Sequence, residues 1–190
     1  MATKKEPFVK FLNLSIILVL SIAINISSAD AQQHKPGEYD VKAAFIYNFL
    51  KFIEWPDRAF VDEHDSMNIC VLGKSPFGSA LDFVREEKIN NRKIIVKHYN
   101  NIHDLGRCHI LFISRSEGEG LTQILENLKG LNILTISDNK SFAQQGVIIN
   151  FYIEEDKMRF EINQDAANRS GLKISSKLLS LAKIVRGAGR

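Results

Sequence analysis

The chain has 190 residues, with 25 Lys and Arg against 22 Asp and Glu and a formal charge of +3 at pH 7. So small an excess carries no signature of a nucleic acid or an anionic membrane as partner. The length suits one domain, and a domain near this size buries about 70% of the surface its unfolded chain exposes, enough to fold without a structural metal or many disulfides.

Residues 1–31 read as an export signal. Lys4, Lys5 and Lys10 make a positive start, 11–26 is largely apolar, and Ala29-Asp30-Ala31 is a small-x-small cleavage pattern with the cut expected after Ala31. A retained membrane anchor is the alternative, but the apolar run is short and carries Asn13, Ser15, Ser21 and Asn25. Cleavage would leave 32–190 as a single exported, soluble domain. It would remove three Lys and two acids (Glu6, Asp30), leaving 22 basic and 20 acidic residues. Both cysteines, Cys70 and Cys108, lie in that domain. An oxidising compartment favours a bridge between them, and two buried thiols acting as small apolar side chains are the other reading.

Residues 38–56 hold six aromatics, including the only Trp. Val41, Phe45, Phe49 and Phe52 mark one helical face, and Ala43, Ile46, Leu50 and Ile53 a second, so the stretch predicts a helix buried on several sides. Pro56 is expected to end it. An acidic loop at 61–65 leads to an apolar strand at 68–72, closed by Gly73. Ser75-Pro76 then looks like a helix start, with Phe77, Leu81 and Val84 as its apolar side. Further strands are expected at 93–98, 108–113 and 132–136. A helix is expected at 118–129, ended by Gly130, and Ser137-Asp138 reads as the cap of a short helical turn through 142–145. Residues 147–153 and 158–162 bracket a charged turn as a β-hairpin. A short helical piece around 166–170 and a helix over 176–185, striped by Leu178, Leu181, Ala182 and Val185, close the chain. Apolar strands alternating with amphipathic helices predict an α/β fold. Its sheet should be mainly parallel (Rossmann/flavodoxin-like), flanked by helices, with the C-terminal β-hairpin at one edge.

Motifs for chemistry are sparse. Gly73, Lys74 and Ser75 follow a strand, but the phosphate-loop signature needs a Gly where Asn68 stands. An expected helix N-terminus there would still make them a candidate site for a small anion or other ligand. Ser137-Asp138-Asn139-Lys140 fits two penicillin-binding motifs on paper, without the Lys-Thr-Gly that accompanies them. His98, His103 and His109 have no carboxylate at zinc-site spacing and read as exposed or core histidines. No residue set supports catalysis, a metal or a cofactor, which favours a binding module.

Several segments together resemble the YfiR-like family. They are Glu38-Tyr39-x-Val41-Lys42-Ala43-Ala44-x-x-Tyr47-Asn48-Phe49-x-Lys51-Phe52 with Trp55-Pro56, Ile69 to Gly73, Cys108 to Ser114, Leu134-Thr135-x-x-Asp138, Phe142-Ala143-x-x-Gly146, Arg159 to Asn163 and Gly171 to Leu179. The resemblance implies a periplasmic α/β protein, commonly a homodimer, that represses a membrane diguanylate cyclase by binding its periplasmic sensor part. An OmpA-like outer-membrane lipoprotein can sequester such a repressor, releasing cyclic-di-GMP synthesis and biofilm formation. A small-ligand sensor module of another signalling system is the alternative. A second Cys pair found in some members is missing, and Gln145-Gly146 stands where Gly-Gly is common. On this resemblance, Phe160, Glu161, Asn163, Leu172 and Ile174 are the expected partner contacts. The ordinary readings for these residues are core packing for Phe160 and Leu172 and a helix cap for Asn163.

Overall fold

The computed structural model describes residues 36–187; the expected signal segment, 1–31, lies outside them. Helix α1 (Glu38–Phe49) comes first, its first turn closed by the Asp40 carboxylate, which accepts the Gly37 N–H at 2.8 Å. It stops well short of Pro56. Lys51 and Phe52 turn the chain with bonds to carbonyls three residues back, and Ile53 and Glu54 form a short strand, β1 (Ile53–Glu54). Its partner is distant: β1 pairs antiparallel with β9 (Lys173–Ile174). The apolar period of α1 runs on into β1, but this long-range pairing takes Ile53 and Glu54 out of the helix.

The main sheet contains β2 (Met67–Leu72), β3 (Lys88–Ile89), β4 (Arg92–Tyr99), β5 (Ile110–Ile113), β6 (Leu134–Ser137), β7 (Ile149–Glu154), β8 (Lys157–Asn163) and β10 (Lys183–Val185). Among the described residues its order is β10-β8-β7-β6-β5-β2-β4-β3. The five strands from β4 across to β7 are parallel, as the continuous apolar runs predict. β3 and β8 fold back antiparallel on β4 and β7. The chain is thus α/β, with a mostly parallel sheet flanked by helices.

Three local expectations are corrected. No α-helix follows Ser75-Pro76: Gly78 takes φ 53, and residues 77–87 run as successive i→i+3 turns that still bury Phe77, Leu81 and Val84. The final helix is only α5 (Ser176–Leu179). Leu181, 70% exposed, is not part of a buried stripe, and 183–185 instead form β10, parallel to β8. The β7–β8 hairpin is therefore not the outermost element, because β10 covers its edge.

α1 packs Ala43, Ile46 and Phe49 on one sheet face, against Val71, Phe112, Phe151 and Phe160. The other face presents Cys70, Leu72, Leu111 and Ile113 to helix α2 (Leu121–Asn127) and to Phe142 of α3 (Phe142–Gln145). α4 (Gln164–Arg169) follows β8. Cys70 and Cys108 are joined in a disulfide with their Cα atoms 6.1 Å apart, the bridged one of the two readings.

Candidate functional site

Cross-strand partners in a sheet share a face. The register therefore sets Lys183, Glu161, Asn150, Ser137, Ile113 and Leu72 in one row across β10, β8, β7, β6, β5 and β2. Two of the six, Ile113 and Leu72, are apolar. The other four are polar, and α3 packs on β7 and β8, which carry Asn150 and Glu161. Ser137 donates its hydroxyl to the Ile113 carbonyl at 2.8 Å. Asn163, fully buried, donates to the Ala143 carbonyl of α3 at 2.7 Å and accepts the Ala166 N–H at 2.9 Å, capping α4. Glu161 is 7% exposed. Its two carboxylate oxygens accept the side-chain amides of Gln144 at 3.2 Å and Asn150 at 3.4 Å.

Just past β6, Asp138 forms the centre of an ionic cluster. One of its oxygens accepts from Lys42 Nζ, from the Tyr39 hydroxyl at 2.8 Å and from Arg115 Nη2 at 3.0 Å. Lys42 also donates to Glu38 at 2.5 Å, and its Nζ lies 4.2 Å from the centre of the Tyr39 ring. The Lys42 and Asp138 side chains are 1% and 2% exposed. Glu38, Tyr39 and Lys42 share one side of α1 because three- and four-residue spacings fall together on a helix. Burial, and then donation to the Asp138 carboxylate, raise the Tyr39 pKa to about 12, so the phenol is held as a donor.

A cleft of about 410 Å³ joins these two groups. Lys42, Asp138, Gln144, Asn150, Glu161 and Lys183 are among its lining residues, and its size falls in the range of small-molecule sites. A second cleft, of about 680 Å³, lies by α2 and α4. Its charged residues Glu126, Lys129, Asp165 and Arg169 are all exposed, so it contains no buried charge comparable to Lys42. Among the described residues no group of three or more His, Cys, Asp or Glu could hold a metal ion. No described helix is long and apolar enough to cross a membrane.

The family model described as YfiR/HmsC-like matches residues 39–183. The chain belongs to this family. Among solved structures it is similar to a conserved domain protein from Vibrio cholerae O1 biovar El Tor str. N16961, at 10% identity and a TM-score of 0.54. The match covers 77% of this YfiR/HmsC-like chain and 60% of that one, and the likeness is one of fold.

The expected site residues of this YfiR/HmsC-like chain fall in different places. Phe160 is in the core between Phe45 and Phe49, at ring distances of 5.8 and 5.0 Å. Leu172 is 1% exposed, and Asn163 serves as the cap already described. Glu161 lines the cleft, while Ile174 is half-buried and pairs with Ile53. Gly73 takes φ 83, and a Cβ there would meet Glu117 Oε1 at 2.3 Å and Ser116 Oγ at 2.4 Å. The Gly73 and Lys74 N–H groups bond to the Tyr99 carbonyl and to Ser116 Oγ. No α-helix follows Ser75, a carboxylate lies alongside, and the N–H groups of Gly73 and Lys74 are already taken.

His109 is buried, accepting the Asn68 N–H on Nδ1 at 3.0 Å, and His98 and His103 are exposed. Gly146 takes φ 120 at the end of α3, so the family departure at Gln145-Gly146 falls on the C-terminus of the helix over the cleft. The cluster of Tyr39, Lys42, Arg115 and Asp138 is what motif reasoning missed. Its signal was a lysine inside a helix otherwise apolar on several sides.

Proposed function

We propose that the protein is a periplasmic regulator that binds and represses the periplasmic sensor part of a membrane diguanylate cyclase, lowering cyclic-di-GMP and biofilm formation. The observation that carries this reading is the YfiR/HmsC-like match over 39–183. The export pattern of 1–31 supports the location. The strand order β4-β2-β5-β6-β7 supports the doubly wound, flavodoxin-like reading of the sheet. A homodimer and sequestration by an OmpA-like lipoprotein complete the proposal. Of the five expected contacts, Ile174 is the one a partner can reach without displacing interior side chains. Deleting the gene should raise cellular cyclic-di-GMP and surface attachment, and restoring it in trans should reverse both. Unchanged cyclic-di-GMP in the deletion strain would refute the reading.

A further inference from the structure

Among the described residues, the buried side-chain polar atoms without a hydrogen-bond partner are Trp55 Nε1, Ser114 Oγ, Asp138 Oδ1, Gln144 Oε1 and Asn150 Oδ1. The last three are all acceptors, and all belong to residues lining the 410 Å³ cleft. Asp138 and Asn150 are 8% and 2% exposed. Both lie at neighbouring strand ends, since Asn150 stands opposite Ser137, the last residue of β6, and Asp138 follows it.

The amide orientations are determined by Glu161. Gln144 Nε2 and Asn150 Nδ2 both donate to its carboxylate, and flipping either amide would set oxygen against oxygen. Both amide oxygens must therefore remain without a donor from the protein. Glu161 has no Lys, Arg or His nitrogen within ion-pair distance among the described residues. Its register neighbour Lys183 instead places Nζ 5.8 Å from the Tyr152 ring centre. Lys42, the buried cation of the cleft, already serves Asp138 and Glu38. Buried carboxylates and carbonyl oxygens left in this state call for a group that is positively charged and only donates. A primary ammonium is that group, with three donors and no acceptor. Tyr152, Ile153 and Met158 supply an apolar wall for an alkyl body; of the lining cations, Lys42 and Arg115 are paired with Asp138 and Glu38, and Lys140 and Lys183 disfavour a second positive charge.

We propose that this cleft binds a small alkyl amine through its ammonium group, with Asp138, Asn150 and Gln144 accepting its N–H bonds and Glu161 supplying the compensating charge. The proposal goes beyond the repressor reading and does not depend on it, because its test contains no cyclase. The purified protein would be titrated with n-butylammonium, 1-butanol and butyrate at pH 7, following amide chemical shifts by NMR. Saturable binding of n-butylammonium, at least about tenfold tighter than either control, is expected. Gln144→Leu should weaken it by about tenfold or more, the effect of losing one hydrogen bond to a charged group, and Glu161→Gln by a similar factor through loss of the compensating charge. Gln144 is only half-buried, so its variant keeps the test usable if the Glu161 variant misfolds. Absence of saturable binding, equal binding of 1-butanol, or unchanged affinity in a folded variant would each overturn the proposal.

Discussion

At the residue scale, Lys42 shows how a buried charge is made tolerable. Its ammonium has two carboxylate partners and an aromatic face, which offsets the large desolvation penalty of an interior ion. Removing it would leave Asp138 buried with only Tyr39 and Arg115 as donors. Lys42→Met is expected to lower stability by about 3 kcal/mol, the low end for breaking a buried pair, read from urea unfolding. A loss under about 1 kcal/mol would overturn this prediction. His109 makes a second, pH-dependent prediction. Its Nδ1 accepts the Asn68 N–H, its Nε2 lies 3.0 Å from the Ala59 carbonyl, and its ring stacks on Phe60 at 4.6 Å. Burial lowers its pKa below the ordinary imidazole value. The folded state then binds this proton less readily than the unfolded chain. The stability it contributes is fully present above the unfolded pKa of about 6.5 and is lost as pH falls from there through the folded value. Between pH 7 and 5 the wild type should lose more stability than His109→Gln, and parallel curves would exclude the effect. Lys42 was legible as an anomaly on an apolar helix. In sequence Asp138 has only the mark of a helix cap, because nothing local to it announces a partner on α1.

At the element scale, legibility followed contact range. The strands β2, β5 and β6 are short apolar runs bounded by turn residues, and they form near where the pattern puts them. Ile53-Glu54 and 183–185 carry no strand pattern of their own; each is extended because a distant strand, β9 or β8, offers hydrogen bonds. The turn between β7 and β8 illustrates a local choice that the fold overrides. Glu155 and Asp156 sit at φ 50 and 56, the two positive values of a type I′ turn, where Asn-Gly is favoured. Asn90 and Asn91, at φ 50 and 64, meet the same demand between β3 and β4 with better-suited residues. Replacing Glu155-Asp156 with Asn-Gly should therefore raise stability by about 1 kcal/mol. A higher urea midpoint with an unchanged slope would register this, and no shift would place the turn outside that geometry in solution.

For the whole molecule, the disulfide spans 38 residues and encloses β3 and β4, the strands that complete one side of the sheet. On the chain-entropy model such a loop is worth about 4 kcal/mol through the unfolded state. Alanine at both Cys70 and Cys108 should lower stability by roughly that amount, and a reductant should then have no further effect. Equal stability of the reduced and oxidised wild type would show that the unfolded chain is already restrained. The α/β class was legible because alternating segments leave few layer arrangements. The cleft was not legible, since Lys42, Asn150 and Glu161 come from three elements and Asp138 from the loop after β6, and only the finished fold brings them together.

The bond between Lys42 and Asp138 joins residues 96 apart in the chain, and this bears on time as well as energy. Asp138 follows β6, which is aligned by β5 and β2 beside it, so the lock on α1 is expected to close after the sheet is laid down. Interactions that form after the rate-limiting step leave refolding unchanged and slow the reverse reaction. In stopped-flow experiments Lys42→Met should then refold at the wild-type rate and unfold faster. The buried pair would then govern the lifetime of the folded chain and not the speed with which it is reached, and a slower refolding of Lys42→Met would refute this.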